Sequence, residues 1–359
     1  MRKSHLVKLI LAVSLPTTFL IIITIIIIFI FCRRRKTETN EAQYEVESPY
    51  EKEDYSGSET EEEELVILNG EDDLTICDIL DAPGEVIGKS SYGTLYKATL
   101  QRSGKVRVLR FLRPLCAVKS DAKEFNGVIE SLGFVRHDNL VPLLGFYVGN
   151  RGEKLMIHPF FGSGNLSEFI KFLAGGDVDA HKWSNILSIT IGIAKALDHL
   201  HSGMQRTIVH GNLKSKNVLL DQSFRPRVSD FGLHLLLNLA AGQEVLEASA
   251  AEGYKAPELI KMKEVSKESD VYSFGVIMLE LVSGKEPINK NPKGSILDHN
   301  RLSDLYRPEI LRRCVKDGNG VTEECVLKYF HLAVSCCSPS PSLRPSFKQV
   351  LRKLEEIKK

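Results

Sequence analysis

Residues Ile208–Leu220 read "IVHGNLKSKNVLL". Within eight positions they present an imidazole (His210), two amides (Asn212 and Asn217) and an ammonium (Lys214). A carboxylate follows at Asp230 in "SDFGL". Side chains of these types can together bind phosphate and a hard cation, which prefers oxygen ligands. The short loop itself carries no carboxylate. Asn212 can donate and accept hydrogen bonds, but a neutral amide does not serve as a base near pH 7.

Further stretches fall in a fixed order around this loop. "EVIGKSSYGTLYKATL" reads as strand, glycine-rich turn, strand, with Gly88, Ser90 and Gly93 where G-x-G-x-x-G would place three glycines. One glycine turn is weak evidence, so the later stretches decide. "GYKAPEL" runs from Gly253 to Leu259, "SDVYSFGVIMLELVSGKEP" reads as a buried helix beginning at Asp270, and "SPSLRPSFKQV" places Arg344 before the last helix. Their order and spacing resemble the protein-kinase signature set. "HGNLKSKNVLL", "GYKAPEL" and "LTICDILDAPGEVIGKSSYGTLYKATL" are similar to the cytoplasmic domains of plant receptor-like kinases of the leucine-rich-repeat type. They are similar in particular to the transmembrane kinase-like, catalytically degenerate branch. The resemblance covers about residues 70–359.

The resemblance assigns roles, and several positions depart from them. Asn212 stands at the catalytic-base position and Gly211 at the position of the preceding arginine. Lys214 and Asn217 match the motif, the latter as a magnesium ligand, and Asp230 matches the second magnesium ligand. Magnesium keeps several waters and usually arrives with substrate phosphates, so these two residues do not by themselves imply nucleotide binding. Gly88, Ser90, Gly93 and Arg110 form the candidate nucleotide site, with ATP and magnesium as the implied ligands. Arg110 stands for the phosphate-binding lysine of the third strand; an alternative register puts Leu109 there. The helix glutamate that partners this lysine is replaced by Val128, with Glu124 one turn earlier as an imperfect substitute. Glu258, Arg344 and Asp270 match structural residues. Ser249 is the hydroxyl candidate in the activation segment before the GY motif, and a phosphate there would lack an arginine at 211.

The elements that must hold these groups give an α+β, two-lobed protein-kinase fold, with a β-rich N-lobe at 74–161 and a helical C-lobe at 162–359. Residues 1–8 read as a short extracytoplasmic N-terminus and 9–32 as a transmembrane helix. Leu9–Phe31 is uncharged over 23 residues, about 35 Å as a helix, long enough to cross a bilayer. It ends in "FIFCRRRK", a stop-transfer pattern with no small-residue cleavage site. Residues 33–73 read as this basic stop followed by a disordered acidic linker.

The net charge of +1 conceals an asymmetry: Thr37–Asp73 holds 15 acidic residues against Lys52 alone. Such a segment stays unfolded and self-repelling, a spacer between membrane and domain in which Ser56, Ser58 and Thr60 suit acid-directed kinases. Seven cysteines with no C-x-x-C pair or zinc spacing suggest reduced thiols in a cytosolic domain. Cys32, at the membrane edge, is a candidate for palmitoylation.

These readings point to a single-pass plasma-membrane protein with its kinase-like domain in the cytosol. The expected function is that of a receptor-like pseudokinase without phosphotransfer, a scaffold or allosteric partner in receptor-kinase signalling. The alternative is a slow, atypical serine/threonine kinase using Arg110, Asn217 and Asp230. The implied partners are the membrane and other receptor-like kinases or cytosolic signalling proteins; no nucleic acid is implied.

Overall fold

The computed structural model describes residues 63–68, 74–118, 122–174, 182–262, 264–287 and 321–358, without the side chains of 122–124 and 172–174. All belong to one compact unit, Thr60–Lys359. The apolar run at 9–31, Cys32, the serines and threonine of the acidic segment and the Glu124 side chain lie outside the described residues. Among the described residues, no helix is long and apolar enough to cross a membrane.

The N-lobe is a six-stranded antiparallel sheet in the order β1-β5-β6-β4-β3-β2. Its strands are β1 (Glu64–Ile67), β2 (Gly84–Lys89), β3 (Gly93–Thr99), β4 (Val106–Leu112), β5 (Gly145–Val148) and β6 (Lys154–Pro159). A short helix, α1 (Ile76–Leu80), precedes β2 and is closed by a Thr75–Asp78 capping box. Helix α2 (Ala122–Gly133) follows β4.

β1 corrects the linker boundary. The sequence assigns residues 33–73 to an unfolded spacer, yet Glu64–Ile67 pairs with β5 in register Glu64↔Val148 to Ile67↔Gly145. The apolar "LVIL" that ends the acidic run is β-prone. Tyr147 Oη donates to Glu63 Oε1 at 2.6 Å, which fixes the last acidic residues to the sheet.

The C-lobe is helical. It contains α3 (Leu166–Ala174), α4 (Trp183–Ser202), the two-stranded ribbon β7 (Val218–Leu220) and β8 (Pro226–Val228), α5 (Leu239–Ala251), α6 (Lys267–Ser283), α7 (Glu323–Cys336) and α8 (Phe347–Lys358). Helix α6 starts at Lys267, three residues before the expected Asp270, because Ser266 and Ser269 form its capping box. It ends at Gly284, whose left-handed conformation closes the helix. Every residue from Ser269 to Ser283 is buried, which explains why apolar residues occur around the whole helix rather than along one stripe. Cys336 and Cys337 are buried free thiols in and beside α7, and no metal-holding cluster occurs among the described residues.

Arg344 Nη1 and Nη2 donate to Glu258 Oε1 and Oε2 at 2.6 and 2.7 Å. This bidentate pair ties the "GYKAPEL" segment to the turn before α8. One continuous core runs from Leu112, Phe125 and Ile129 of the N-lobe through α4 and α6 to α8. A second apolar cluster, including Leu109, Tyr147 and Ile157, fills the outer side of the sheet. The cleft lies where the lobes meet.

Candidate functional site

β4 decides which side chain enters the cleft. Adjacent residues of a strand face opposite sides, and Leu109 belongs to the outer apolar cluster. Arg110 therefore faces inward. It is buried, and its Nη2 forms an ion pair with Asp230 Oδ1. Its Nη1 donates to Tyr92 Oη at 3.4 Å, and the guanidinium lies 6.0 Å from the centre of the Tyr92 ring. Burial alone would lower the Arg110 pKa, but the Asp230 carboxylate and Tyr92 together more than offset it, so the net shift is upward and the cation is retained. The Tyr92 phenol is pushed up by burial and by the Asp230 charge.

The glycine-rich turn is built by the β2–β3 hairpin. Ser90 N and Oγ both donate to Gly93 O, at 2.9 and 3.1 Å, which closes the tip. Gly93 is required by close approach, since a Cβ there would collide with the Phe111 carbonyl oxygen of β4. Gly88 sits beside a register irregularity between Val86 and Gly88. Val128, at the helix-glutamate position, packs half-buried against the main core. At that position, then, Arg110 gains no carboxylate from α2.

Asp270 organises the loop Ile208–Leu220 from below. Its Oδ2 accepts from His210 N at 2.7 Å and its Oδ1 from Gly211 N at 2.9 Å; His201 Nε2 lies 2.9 Å from Oδ2. Burial would raise the Asp270 pKa, but these hydrogen bonds and the nearby histidines hold it below the usual carboxylate range. His210 is fully buried, and burial pulls its pKa down, so it is a packing group. Its Nδ1 accepts from Asn212 N at 3.2 Å. Asn217 Nδ2 donates to Asn212 O at 2.9 Å, and Ser229 Oγ donates to Asn217 O at 3.0 Å. The two amides and the start of "DFG" are thereby joined. Asn212 Oδ1 is buried without a partner among the described residues.

Three residues that the sequence did not single out complete the site. Glu252, at the C-cap of α5, takes Lys214 Nζ on Oε2 and Lys216 Nζ on Oε1, both at 3.0 Å. Burial would raise its pKa, but the two lysines hold it below the usual carboxylate range. Tyr92 covers Arg110, as described. His158 on β6 has Nδ1 3.0 Å from Pro142 O, and burial drags its pKa down to about 4, so the ring is neutral at pH 7. An acidic residue directly before "GYKAPEL" was visible in the sequence; its partners, more than thirty positions earlier, were not.

The segment after "DFG" is helical rather than extended: a single turn at Leu233–Leu236 leads into α5, and Leu236 and Asn238 form hydrogen bonds with the 115–118 loop after β4. Asp230 and Gly232 are in the left-handed region, with φ of 63° and 68°. Asn238 caps α5 by accepting from Ala241 N at 2.9 Å, and its Nδ2 reaches Leu115 O at 2.6 Å. Ser249, the hydroxyl candidate, is buried in α5. Gly211 has φ of 77°, and a Cβ there would lie 2.5 Å from His234 Nδ1. The place of the missing arginine is thus partly taken by an imidazole.

The donor set fits magnesium and nucleotide poorly. A hard dication seeks charged oxygens, and the Asp230 carboxylate is paired with Arg110, while Asn217, whose Nδ2 donates to Asn212 O, offers only a neutral amide oxygen. The two cations nearest the motif positions for phosphate, Arg110 and Lys214, are each paired with a carboxylate of the activation segment.

Residues 82–354 match the family described as protein tyrosine and serine/threonine kinase. A kinase-like protein of Arabidopsis thaliana named TMKL1 is 36% identical over 325 residues, 88% of this chain and 47% of that protein. Other relatives from that plant are leucine-rich-repeat receptor kinases and receptor kinases whose names mark them as inactive. The chain spans about half the length of TMKL1 and less of several others. The maize SIRK1 kinase domain, solved with AMP-PNP, superposes with a TM-score of 0.71 at 32% identity, covering 82% of this chain and all of that one. The pseudokinase domain of BIR2, an immune regulator, superposes at 0.59 with 28% identity, covering 76% of this chain and 80% of that one. The chain belongs to the protein kinase family, among the plant receptor-like kinases.

Proposed function

We propose that this chain is a membrane-tethered receptor-like pseudokinase. It transfers no phosphate, and it acts as a scaffold or allosteric partner of other receptor-like kinases. The apolar run at Leu9–Phe31 is the tether, the acidic segment is the spacer, and the kinase-like domain faces the cytosol.

The observation that carries this reading is the self-paired cleft. Arg110 is ion-paired with Asp230 and Lys214 with Glu252. Phosphoryl transfer works by positioning and by neutralising charge on the phosphates. Here both cations already have carboxylate partners, and the base position holds Asn212. The structural residues are meanwhile retained: Asp270 holds the loop and Glu258 holds Arg344. An intact scaffold with dismantled chemistry suits a binding module. Relatives named as inactive receptor kinases and a pseudokinase structural neighbour support the same reading.

The test is thermal unfolding of the full chain in nanodiscs with and without millimolar ATP and magnesium. A ligand that binds only the folded state must raise the midpoint by mass action. The expected shift is below about 1 °C; a magnesium-dependent rise of about 5 °C or more would show an occupied, competent cleft.

A further inference from the structure

Strand β1, which closes one edge of the N-lobe sheet, touches both of its faces. Successive strand positions point to opposite sides. Leu65 packs on the outer apolar cluster, whereas Leu68, just past the strand, packs on the main core. The strand is fastened at both ends. Tyr147 Oη donates to Glu63 at the start, and Leu68 N donates to Leu144 O at 2.8 Å at the finish. Four residues make a short edge strand with few ladder hydrogen bonds, so it is the part of the sheet that opens at least cost.

Where Leu68 arrives, α2 carries no side chain. A Cβ at Gly133 would lie 2.7 Å from Leu68 Cδ2 and 2.9 Å from its Cδ1. Leu68 therefore rests directly on the backbone of the last turn of α2, an approach that only glycine permits. The preceding residue, Leu132, touches a different neighbour. A Cβ at Gly232 would lie 2.6 Å from Leu132 Cδ2. Gly232 is the glycine of "SDFGL", in the turn that presents Asp230 to Arg110. Contact thus runs from Leu68 through Gly133 and Leu132 to Gly232.

We propose that β1 is a regulatory strap. Docked, it presses the last turn of α2 onto the "DFG" turn and keeps Asp230 paired with Arg110. Undocked, it frees that turn. The input is the chain entering at Glu63, because drawing this chain away from β5 withdraws Leu68 with it. The inference rests on the proposed function only in treating the self-paired cleft as the inactive arrangement. Coupling between strap and "DFG" turn would stand even in a working kinase, and its test uses no nucleotide.

Hydrogen exchange followed by mass spectrometry on the full chain in nanodiscs tests it, with α6 as the internal reference. Donors alternate along an antiparallel strand, and Leu68 N is one of them, so Val66 N is the next. Val66→Pro removes that donor. It is expected to release the strap and to speed exchange about tenfold in peptides covering 128–136 and 228–236. Leu68→Ala keeps the ladder and removes only the contact with Gly133. It is expected to speed exchange in the same two peptides about threefold, while 63–67 and α6 are unchanged. If Val66→Pro also loosens α6, the domain has opened as a whole and Leu68→Ala alone decides. Exchange of 228–236 that stays as in the unaltered chain in Leu68→Ala, or that rises only together with α6, would overturn the proposal.

Discussion

Arg110 and Asp230 meet across the cleft as a buried ion pair, with their side chains 7% and 13% exposed. One comes from the middle of the N-lobe sheet and the other from the start of the activation segment. The pair joins the lobes and consumes the charges that a metal–nucleotide complex would use. Burying both partners makes it costly to break from one side only, because the remaining charge is stranded. Within the C-lobe, Glu252 pairs with Lys214 in a less buried ion pair, the side chains 31% and 15% exposed.

If Glu252 masks Lys214, removing its charge should unmask it. Glu252→Gln is expected to tighten binding of a fluorescent ATP analogue by up to about fivefold, the size of one partly exposed ion pair. Titration followed by fluorescence anisotropy measures this. Unchanged affinity would mean that Lys214 is not available to phosphate even when freed.

Gly211 and His234 should be energetically coupled. A side chain at 211 faces both a φ of 77° and a ring nitrogen 2.5 Å from its Cβ. Gly211→Ala is expected to cost about 2 kcal/mol. In a His234→Ala background the steric part disappears and only the backbone part remains. A double-mutant cycle by urea denaturation should show coupling of about 1 kcal/mol; strict additivity would remove the steric argument.

Glu280 gives the fold a defined pH dependence. It is 1% exposed, accepts from Tyr254 Oη at 2.7 Å, and has Ser215 Oγ 3.4 Å away. Burial pushes its pKa from 4.5 up to about 8, with the two hydroxyls opposing and Glu286 and Glu252 adding to the rise. The folded state therefore binds a proton that the unfolded state releases between these values. Stability from this group is full below pH 4.5 and declines as pH rises towards 8, by on the order of 4 kcal/mol. Glu280→Gln should flatten that slope in denaturation curves taken from pH 5 to 8. A slope unaltered by the substitution would place the titration elsewhere.

The motif order was legible because each stretch carries its own local signature: the glycine turn, "SDFGL", "GYKAPEL" and the apolar run of α6. Which of Leu109 and Arg110 enters the cleft was not, since one residue of slip exchanges the faces of a strand; only the pairing Leu95↔Arg110 and Arg110↔Met156 fixes it. β1 was hidden because four apolar residues follow a run of glutamates, and their partner strand lies about 80 positions on. Tyr92, His158, His234 and Glu252 have ordinary local contexts. Their roles arise from contacts with residues distant in the chain, which no periodicity reports. Asn212 and Gly211 were conspicuous for the opposite reason: they break a pattern that their neighbours keep.

The most direct measurement is phosphate transfer from radiolabelled ATP with magnesium to the chain itself and to a generic serine/threonine substrate, run beside Asp230→Ala. The self-paired cleft predicts no incorporation above that of Asp230→Ala, even with Asn212→Asp and Arg110→Lys combined, because Val128 and Glu252 remain. Transfer by the unaltered chain that Asp230→Ala abolishes would contradict it and make this protein a working kinase.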